Sequence, residues 1–534
     1  MLASLIQSFE WSLPNGMKPK DLNLNEQFVF LSPSHKIMEE IRHYLLWSAF
    51  FTVLTILFLR RRSSKDLPLP PGPRPLPVLG NLLELGQNPH RSLARLARIH
   101  GPVMSLRIGS IHTIVFSSPR CAKEVLKTKG HSISSRQVPD VVQSLGHHEV
   151  SIAWSSQNQS WRYLRSLVKT HLFNTQSLDA TQLLRRRKIH ELVAYIRGKN
   201  GEAVHIALAA FSTVLNLIST TFFSIDIIDL KSESGQELKD LIWGLMEEAG
   251  RPNLSDFFPS LAPMDLQGRR RRFAVYYNKL YDFLDKMVEN RLTAMTEEGK
   301  RTNPDILDVL LQLNQEDNSK LSMRMIKCLL LDSFAAGSET TSTTLEWAMA
   351  ELLRRPELLK KAREEITSVI GFEREIEESD ISKLPFLQAV LKETLRLHPP
   401  APLLLPHKVD VSTEIDGYLV PKNSQVLVNV WAISRDERVW ENPNCFVPER
   451  FMGEREIDFR GQHFELIPFG SGRRICPGLS FGVRMVQLML ASLIQSFEWS
   501  LPDGIMPKNL DLKEKFGITL TLASPLKAMA TPAR

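Results

Sequence analysis

The decapeptide Phe469-Gly470-Ser471-Gly472-Arg473-Arg474-Ile475-Cys476-Pro477-Gly478 places a cysteine in a glycine-rich loop, two residues after an arginine. An apolar run follows from Leu479 to Trp499, and its spacing (Phe481, Val483, Met485, Val486, Leu488, Met489, Leu490, Leu493, Ile494) predicts a largely buried helix. Cys476 then sits at a helix N-terminus, where unpaired N–H groups and the helix dipole favour the thiolate. A lone thiolate held this way suits one axial position of a haem iron. Arg474 is placed to pair with a haem propionate. The glycines allow backbone to approach a flat macrocycle, and Phe469 would shield the sulfur. The rival reading is an inert buried cysteine, the usual fate of a free one.

Two further clusters could act with it. Ala335-Ala336-Gly337-Ser338-Glu339-Thr340-Thr341-Ser342-Thr343-Thr344 interrupts a long helical pattern from Lys320 to Arg355, which Pro356 ends. One glycine and six hydroxyl-bearing residues forfeit ~3–4 kcal/mol of helix propensity relative to alanine. Back-bonding from Ser and Thr would bend the axis. Trp161 and Arg165 lie one helical turn apart, on one face.

Length and composition frame these motifs. The 534 residues exceed what one ordinary core needs, and 43% apolar with 23% charged residues is normal for a globular protein. The four cysteines (Cys121, Cys328, Cys445, Cys476) form no zinc-type pair and lie too far apart for a disulfide framework, which points to a reducing compartment. Net charge is +7. Arg185-Arg186-Arg187-Lys188 and Arg269-Arg270-Arg271-Arg272 read as solvated helix faces, or as docking faces for acidic partners or lipid. No motif supports nucleic-acid binding, and no Gly-x-Gly-x-x-Gly fingerprint or P-loop is present, so no nucleotide is expected on this chain.

Four zones are expected along the chain. Residues 36–62 hold an uncharged stretch, Tyr44–Leu59, followed by Arg60-Arg61-Arg62. It spans about 24 Å as a helix and reads as a retained membrane anchor with the remainder of the chain cytosolic. Residues 63–80 contain Leu67-Pro68-Leu69-Pro70-Pro71-Gly72-Pro73-Arg74-Pro75, a stiff extended hinge. Residues 81–534 would be the globular domain. Residues 1–35 are unusual: Met1–Pro14 repeats Met489–Pro502 letter for letter, with similarity continuing to Phe28. The downstream copy fills the one place shaped for that sequence. The leader therefore reads as a duplicated fragment, joined by gene fusion or by faulty gene prediction.

From about Leu67 onward the chain resembles a cytochrome P-450, on the fixed positions Phe-x-x-Gly-x-Arg-x-Cys-x-Gly at Phe469 to Gly478. The resemblance implies a mostly α fold with small β-sheets, one large haem-thiolate domain, and haem b as cofactor. It implies that Cys476 ligates the iron, and that Trp161, Arg165, His407, Phe469, Arg474 and Gly478 hold the cofactor. Thr340 would hydrogen-bond dioxygen while Glu339 and ordered water bring protons. Glu393, Arg396 and Arg450 resemble a structural Glu–Arg–Arg triad under the haem. Ala249 to Pro259, Asp265 to Gly268 and Pro402 to Pro406 resemble plant microsomal hydroxylases of the geraniol 8-hydroxylase type. That implies hydroxylation of a small apolar substrate, such as a terpenoid, at the endoplasmic reticulum membrane. Electrons would come from NADPH-cytochrome P-450 reductase, docking near Arg473, Arg474 and Arg484. Expected substrate contacts are Phe334, Ala335, Leu404, Leu405 and Ile518, with a lesser share for the Val141–Val150 loop. A haem-thiolate isomerase or dehydratase, or a catalytically silent haem-binding fusion product, are the rival readings.

Overall fold

The computed structural model describes residues 47–48, 67–228, 234–297, 304–453 and 456–533. The duplicated leader lies outside them, as does the anchor except for Trp47 and Ser48, which are helical. The helices that position the site are α1 (Gln159–Leu167), α2 (Gln182–Arg197), α3 (Ile206–Phe223), α4 (Met323–Arg354), α5 (Pro385–Leu397) and α6 (Leu479–Ser496). Helix α4 starts where the Ser322 hydroxyl accepts from the Met325 N–H and stops at Arg355, before Pro356. It runs as one α-helix through Gly337, despite the poor propensity of that stretch. Its side-chain hydroxyls donate to carbonyls one turn back: Ser338 to Phe334, Thr340 to Ala336 and Thr344 to Thr340. That pairs each hydroxyl within the helix and lets a poor helical sequence stay helical.

Helices α3 and α6 are apolar and long enough to cross a bilayer by composition, yet both pack in the core. Around α4 they form the main apolar cluster, with Phe211, Leu215, Trp347, Leu490 and Ile494 almost fully enclosed. Helix α6 ends at Ser496, earlier than the apolar run suggests. Phe497-Glu498-Trp499-Ser500 switches to period two, with Phe497 and Trp499 buried and Glu498 and Ser500 exposed, and forms a strand. It pairs antiparallel with Lys527–Pro532, whose other edge takes Ala203–His205.

The largest sheet has five strands: β1 (Val103–Ile108), β2 (Ile111–Phe116), β3 (Ser135–Arg136), β4 (His407–Lys408) and β5 (Gln425–Val428). Their order is β1-β2-β5-β4-β3, with β2 and β5 parallel and the other pairs antiparallel. The proline-rich segment is fastened to this sheet. The Pro71 carbonyl accepts from the Ser105 N–H at 2.8 Å, and the Asn81 amide donates to the Pro73 and Arg74 carbonyls. A Cβ on Gly72 would lie 1.8 Å from the Ser105 carbonyl oxygen, so only glycine fits there.

The basic clusters are only partly solvated. Arg185 and Lys188 are essentially inaccessible and pair with Glu378 and Asp226, both at 2.5 Å. Arg269 is buried against Glu248, and Arg270 binds Asp140. The outward members are Arg186, Arg187, Arg271 and Arg272. Buried cations need anions, so these clusters act as internal clamps rather than uniform faces. The Glu393–Arg396–Arg450 network is the most enclosed. Arg396 donates to both Glu393 oxygens (2.7 and 2.8 Å) and to the carbonyls of Ser434, Pro443 and Cys445, while Arg450 reaches Glu393 at 3.1 Å. Removing the carboxylate leaves two cations facing each other. Glu393→Ala is expected to cost about 3–5 kcal/mol of stability, read as a drop in thermal midpoint. A midpoint within a degree or two of the parent would contradict this account.

Candidate active site

A cavity of about 380 Å³ lies against the middle of α4. The Phe469–Gly478 loop forms one wall. The Cys476 N–H donates to the Phe469 carbonyl at 3.0 Å, and Phe469, Cys476 and Gly478 all line the space. Gly472 has a reason of its own: its φ is +68°, and a Cβ would come within 2.0 Å of the Leu126 carbonyl oxygen. This glycine seats the loop on its neighbour rather than admitting a macrocycle. Burial pushes the Cys476 thiol up, against the Gly478 N–H and the Arg165 charge. The helix terminus alone therefore does not produce the expected thiolate. A metal held by the sulfur would favour the thiolate, with release of the proton.

Three guanidiniums converge on this wall. Arg165, on α1, donates to the Ile475 carbonyl. Arg474 donates to the carbonyls of Ser134 (3.0 Å) and Ser155 (2.5 Å), and its Nη1 is buried with no partner. Arg136, on β3, reaches the carbonyls of Ala153 and Leu405. Among the described residues no carboxylate pairs with any of the three. Burial, then the charges of Arg474 and Arg165, bring Arg136 down to about 9. Burial and the nearby Arg165 bring Arg474 to about 10.

Two expected cofactor contacts are rearranged. Trp161 is buried, donates its indole N–H to the Ile152 carbonyl at 3.0 Å, and carries the Arg474 guanidinium 4.4 Å above its ring. It supports Arg474 and does not line the cavity itself. His407 faces the cavity, but burial and the adjacent Arg136 charge hold it well below its usual range, so it is neutral. Its Nδ1 donates to the Ile133 carbonyl at 2.9 Å, which leaves Nε2 to accept from Arg136 at 3.0 Å. The cation at this place is thus Arg136, opposite His407 across β3 and β4. The sequence reading missed it, because the residues are far apart in the chain and meet only through strand pairing.

On α4, Thr340 lines the cavity and its hydroxyl donates to Ala336 at 2.7 Å. Glu339 does not line the cavity but lies beside Thr519, which does, and burial raises its carboxyl to about 7. Its Oε2 is buried without a partner, as is the Thr519 hydroxyl. Ala335, Leu404, Leu405 and Ile518 line the cavity. Phe334 does not. It lies with Leu330 and Ser338 on a neighbouring face of α4 and packs against Phe222 and Phe223. Phe222 reaches the cavity instead, and Val142 and His147 represent the Val141–Val150 loop. Of the three arginines expected outside, Arg474 is turned inward and Arg484 is tied to Asp179 and Glu378, leaving Arg473 exposed.

Comparison with known proteins gives one answer. The cytochrome P-450 family profile matches residues 70–527. Geraniol 8-hydroxylase from Swertia mussotii is 49% identical over 90% of this chain and 97% of its own length. Geraniol 8-hydroxylase from Catharanthus roseus is also 49% identical, over 89% and 98%. Drimenol monooxygenase from Persicaria hydropiper is 46% identical over 91% and 97%. A cysteine loop opening a buried helix, a cationic wall and a hydroxyl-bearing helix around one cavity agree with that assignment. The chain belongs to the cytochrome P-450 family and is a haem-dependent monooxygenase.

Proposed function

We propose that this enzyme hydroxylates a terpenoid alcohol of the geraniol kind. The reaction is RH + O2 + NADPH + H+ → ROH + H2O + NADP+, with electrons delivered by NADPH-cytochrome P-450 reductase. Similarity to the geraniol 8-hydroxylases and to drimenol monooxygenase supports the substrate class. The cavity itself supports it too, since most of its lining is aliphatic or aromatic. Arg473 on the exposed side of the cysteine loop suits an acidic donor. The uncharged run Tyr44–Leu59 with its following arginines supports a single-pass anchor in the endoplasmic reticulum membrane.

The residues present fit haem. The single observation that carries this is the orphaned Arg474 Nη1 among three guanidiniums without a counter-anion, beside one soft sulfur donor. Arg136, Arg165 and Arg474 would hold the propionates and Cys476 the iron; bound there, the group supplies thiolate-supported activation of dioxygen. Arg136→Gln removes one charge-assisted partner, worth about 2–3 kcal/mol. Lower haem content after gel filtration is expected, and full retention would remove Arg136 from the cofactor site.

Thr340 exposes its hydroxyl oxygen to the cavity while its hydrogen is lent to Ala336. We assign it to positioning dioxygen and its protons. With NADPH, reductase and geraniol, the parent enzyme should form a hydroxylated product only when all are present. Thr340→Ala should keep the carbon monoxide spectrum but divert most NADPH oxidation to hydrogen peroxide; unchanged coupling would refute the assignment.

Glu339 is assigned to proton delivery behind Thr340. Its carboxyl near 7 is protonated and able to donate below that pH, and ionised above it. Coupling of NADPH to product is expected to fall as pH rises through 7, and Glu339→Gln should flatten that limb. A parent profile level between pH 6 and 8 would contradict it.

A further inference from the structure

The far end of the cavity holds a polar group that the chemistry at Cys476 does not use. Asp332 is the one carboxylate among the described residues lining the cavity. It stands eight residues before Thr340 on α4, ~12 Å along the axis at 1.5 Å per residue. Thr341 in turn lies against Gly482, in the first turn of α6 beside the cysteine loop. Asp332 is therefore about two helical turns removed from the reacting end.

Its hydrogen bonds are nearly complete but not saturated. Oδ2 accepts from the Ser151 hydroxyl (2.7 Å) and the Ile152 N–H (2.9 Å). Oδ1 accepts from His147 Nε2 at 2.9 Å. The His147 ring is thus the Nε2–H tautomer, with Nδ1 facing the Cys328 thiol at 3.4 Å. A carboxylate offers about four acceptor positions, and three are filled. Nearby lining hydroxyls are already spent on their own helices: Ser333 on Leu329, Thr221 on Leu217 and Thr181 on Ser177. Phe273 and Tyr277 stack together beside His147, so the surroundings of the carboxylate are aromatic.

We infer that the His147–Asp332 pair is the recognition site for the substrate's own hydroxyl, which donates to Asp332 and holds the molecule with its opposite end at Thr340. The inference rests on the terpenoid-alcohol reading and deepens it. It makes Asp332 a specificity determinant: the substrate carries a donor at one end and is oxidised at the other. A divalent ion is the competing occupant, since His, Cys and Asp atoms here lie within 4.8 Å of one another. The His147–Asp332 hydrogen bond already occupies the facing atoms, which favours the hydroxyl.

The test uses the full-length holoenzyme and three probes: geraniol, its methyl ether, and the hydrocarbon with hydrogen in place of the hydroxyl. Haem absorbance should report geraniol binding about tenfold or more tighter than either analogue. Geraniol should be oxidised at the end remote from its hydroxyl, and the hydrocarbon at mixed positions. In Asp332→Asn the amide oxygen can accept from Ser151 and Ile152, and the NH2 can donate to His147 Nε2 once the imidazole moves its proton to Nδ1, which keeps the loop tied while removing the acceptor. That variant should keep its carbon monoxide spectrum and hydrocarbon affinity and lose the preference for geraniol. Equal binding of the three probes by the parent enzyme overturns the inference alone, as does an undiminished preference in Asp332→Asn. A stoichiometric divalent metal besides iron also overturns it. If no probe perturbs the haem, the terpenoid reading falls and this inference with it. Should the variant not fold, the parent's three affinities and product positions decide the matter.

Discussion

A guanidinium taken out of water costs several kcal/mol unless an anion or a full set of acceptors meets it. This chain meets that demand repeatedly: Arg185 against Glu378, Lys188 against Asp226, Arg269 against Glu248, Arg396 against Glu393. Around one cavity it does not. Arg136, Arg165 and Arg474 face the same space with carbonyl oxygens, a neutral imidazole and an indole ring for company, and the charges of Arg165 and Arg474 raise the cost of charging Arg136. The polypeptide by itself is under-neutralised there. A group carrying carboxylates would complete it, and the stability of this wall would then depend on occupancy.

Helix α4 has to reconcile two demands. Its buried face packs Leu330, Trp347 and Leu352 against α3 and α6 as an ordinary core helix would. Its cavity face must be polar enough to manage protons and narrow enough for substrate. Hydroxyls that bond back to their own helix satisfy both: Ser338 leaves no unpaired group in the core, and Thr340 and Thr344 still present oxygen atoms to the cavity. Glu339 is the exception, with one oxygen left over in a dry place, and its raised pKa follows from that isolation.

Features written within a short stretch of chain were legible from sequence. The cysteine loop, the start of α6, and the Glu393–Arg396 spacing each depend on neighbours a few residues away. What escaped depends on phase or on pairing. Phe334 sits one residue off the cavity face, a difference of 100° on a helix that composition alone cannot orient. Trp161 and Arg165 do share a face, yet the indole found a carbonyl first. Arg136 acquires its place because two-residue strands β3 and β4 pair across hundreds of positions of chain. The basic clusters misled for a similar reason, since their acidic partners come from distant segments.

The fastening of Pro71 and Gly72 to Ser105 has a mechanical side. Strand β1 is an edge of the same sheet whose other edge bears Arg136. Tension applied upstream of Leu69 is consequently carried along a rigid polyproline stem into the hydrogen-bonded ribbon, and not absorbed by slack. Pulling on Pro70 or Pro71 would therefore load the hydrogen bonds of that edge strand first.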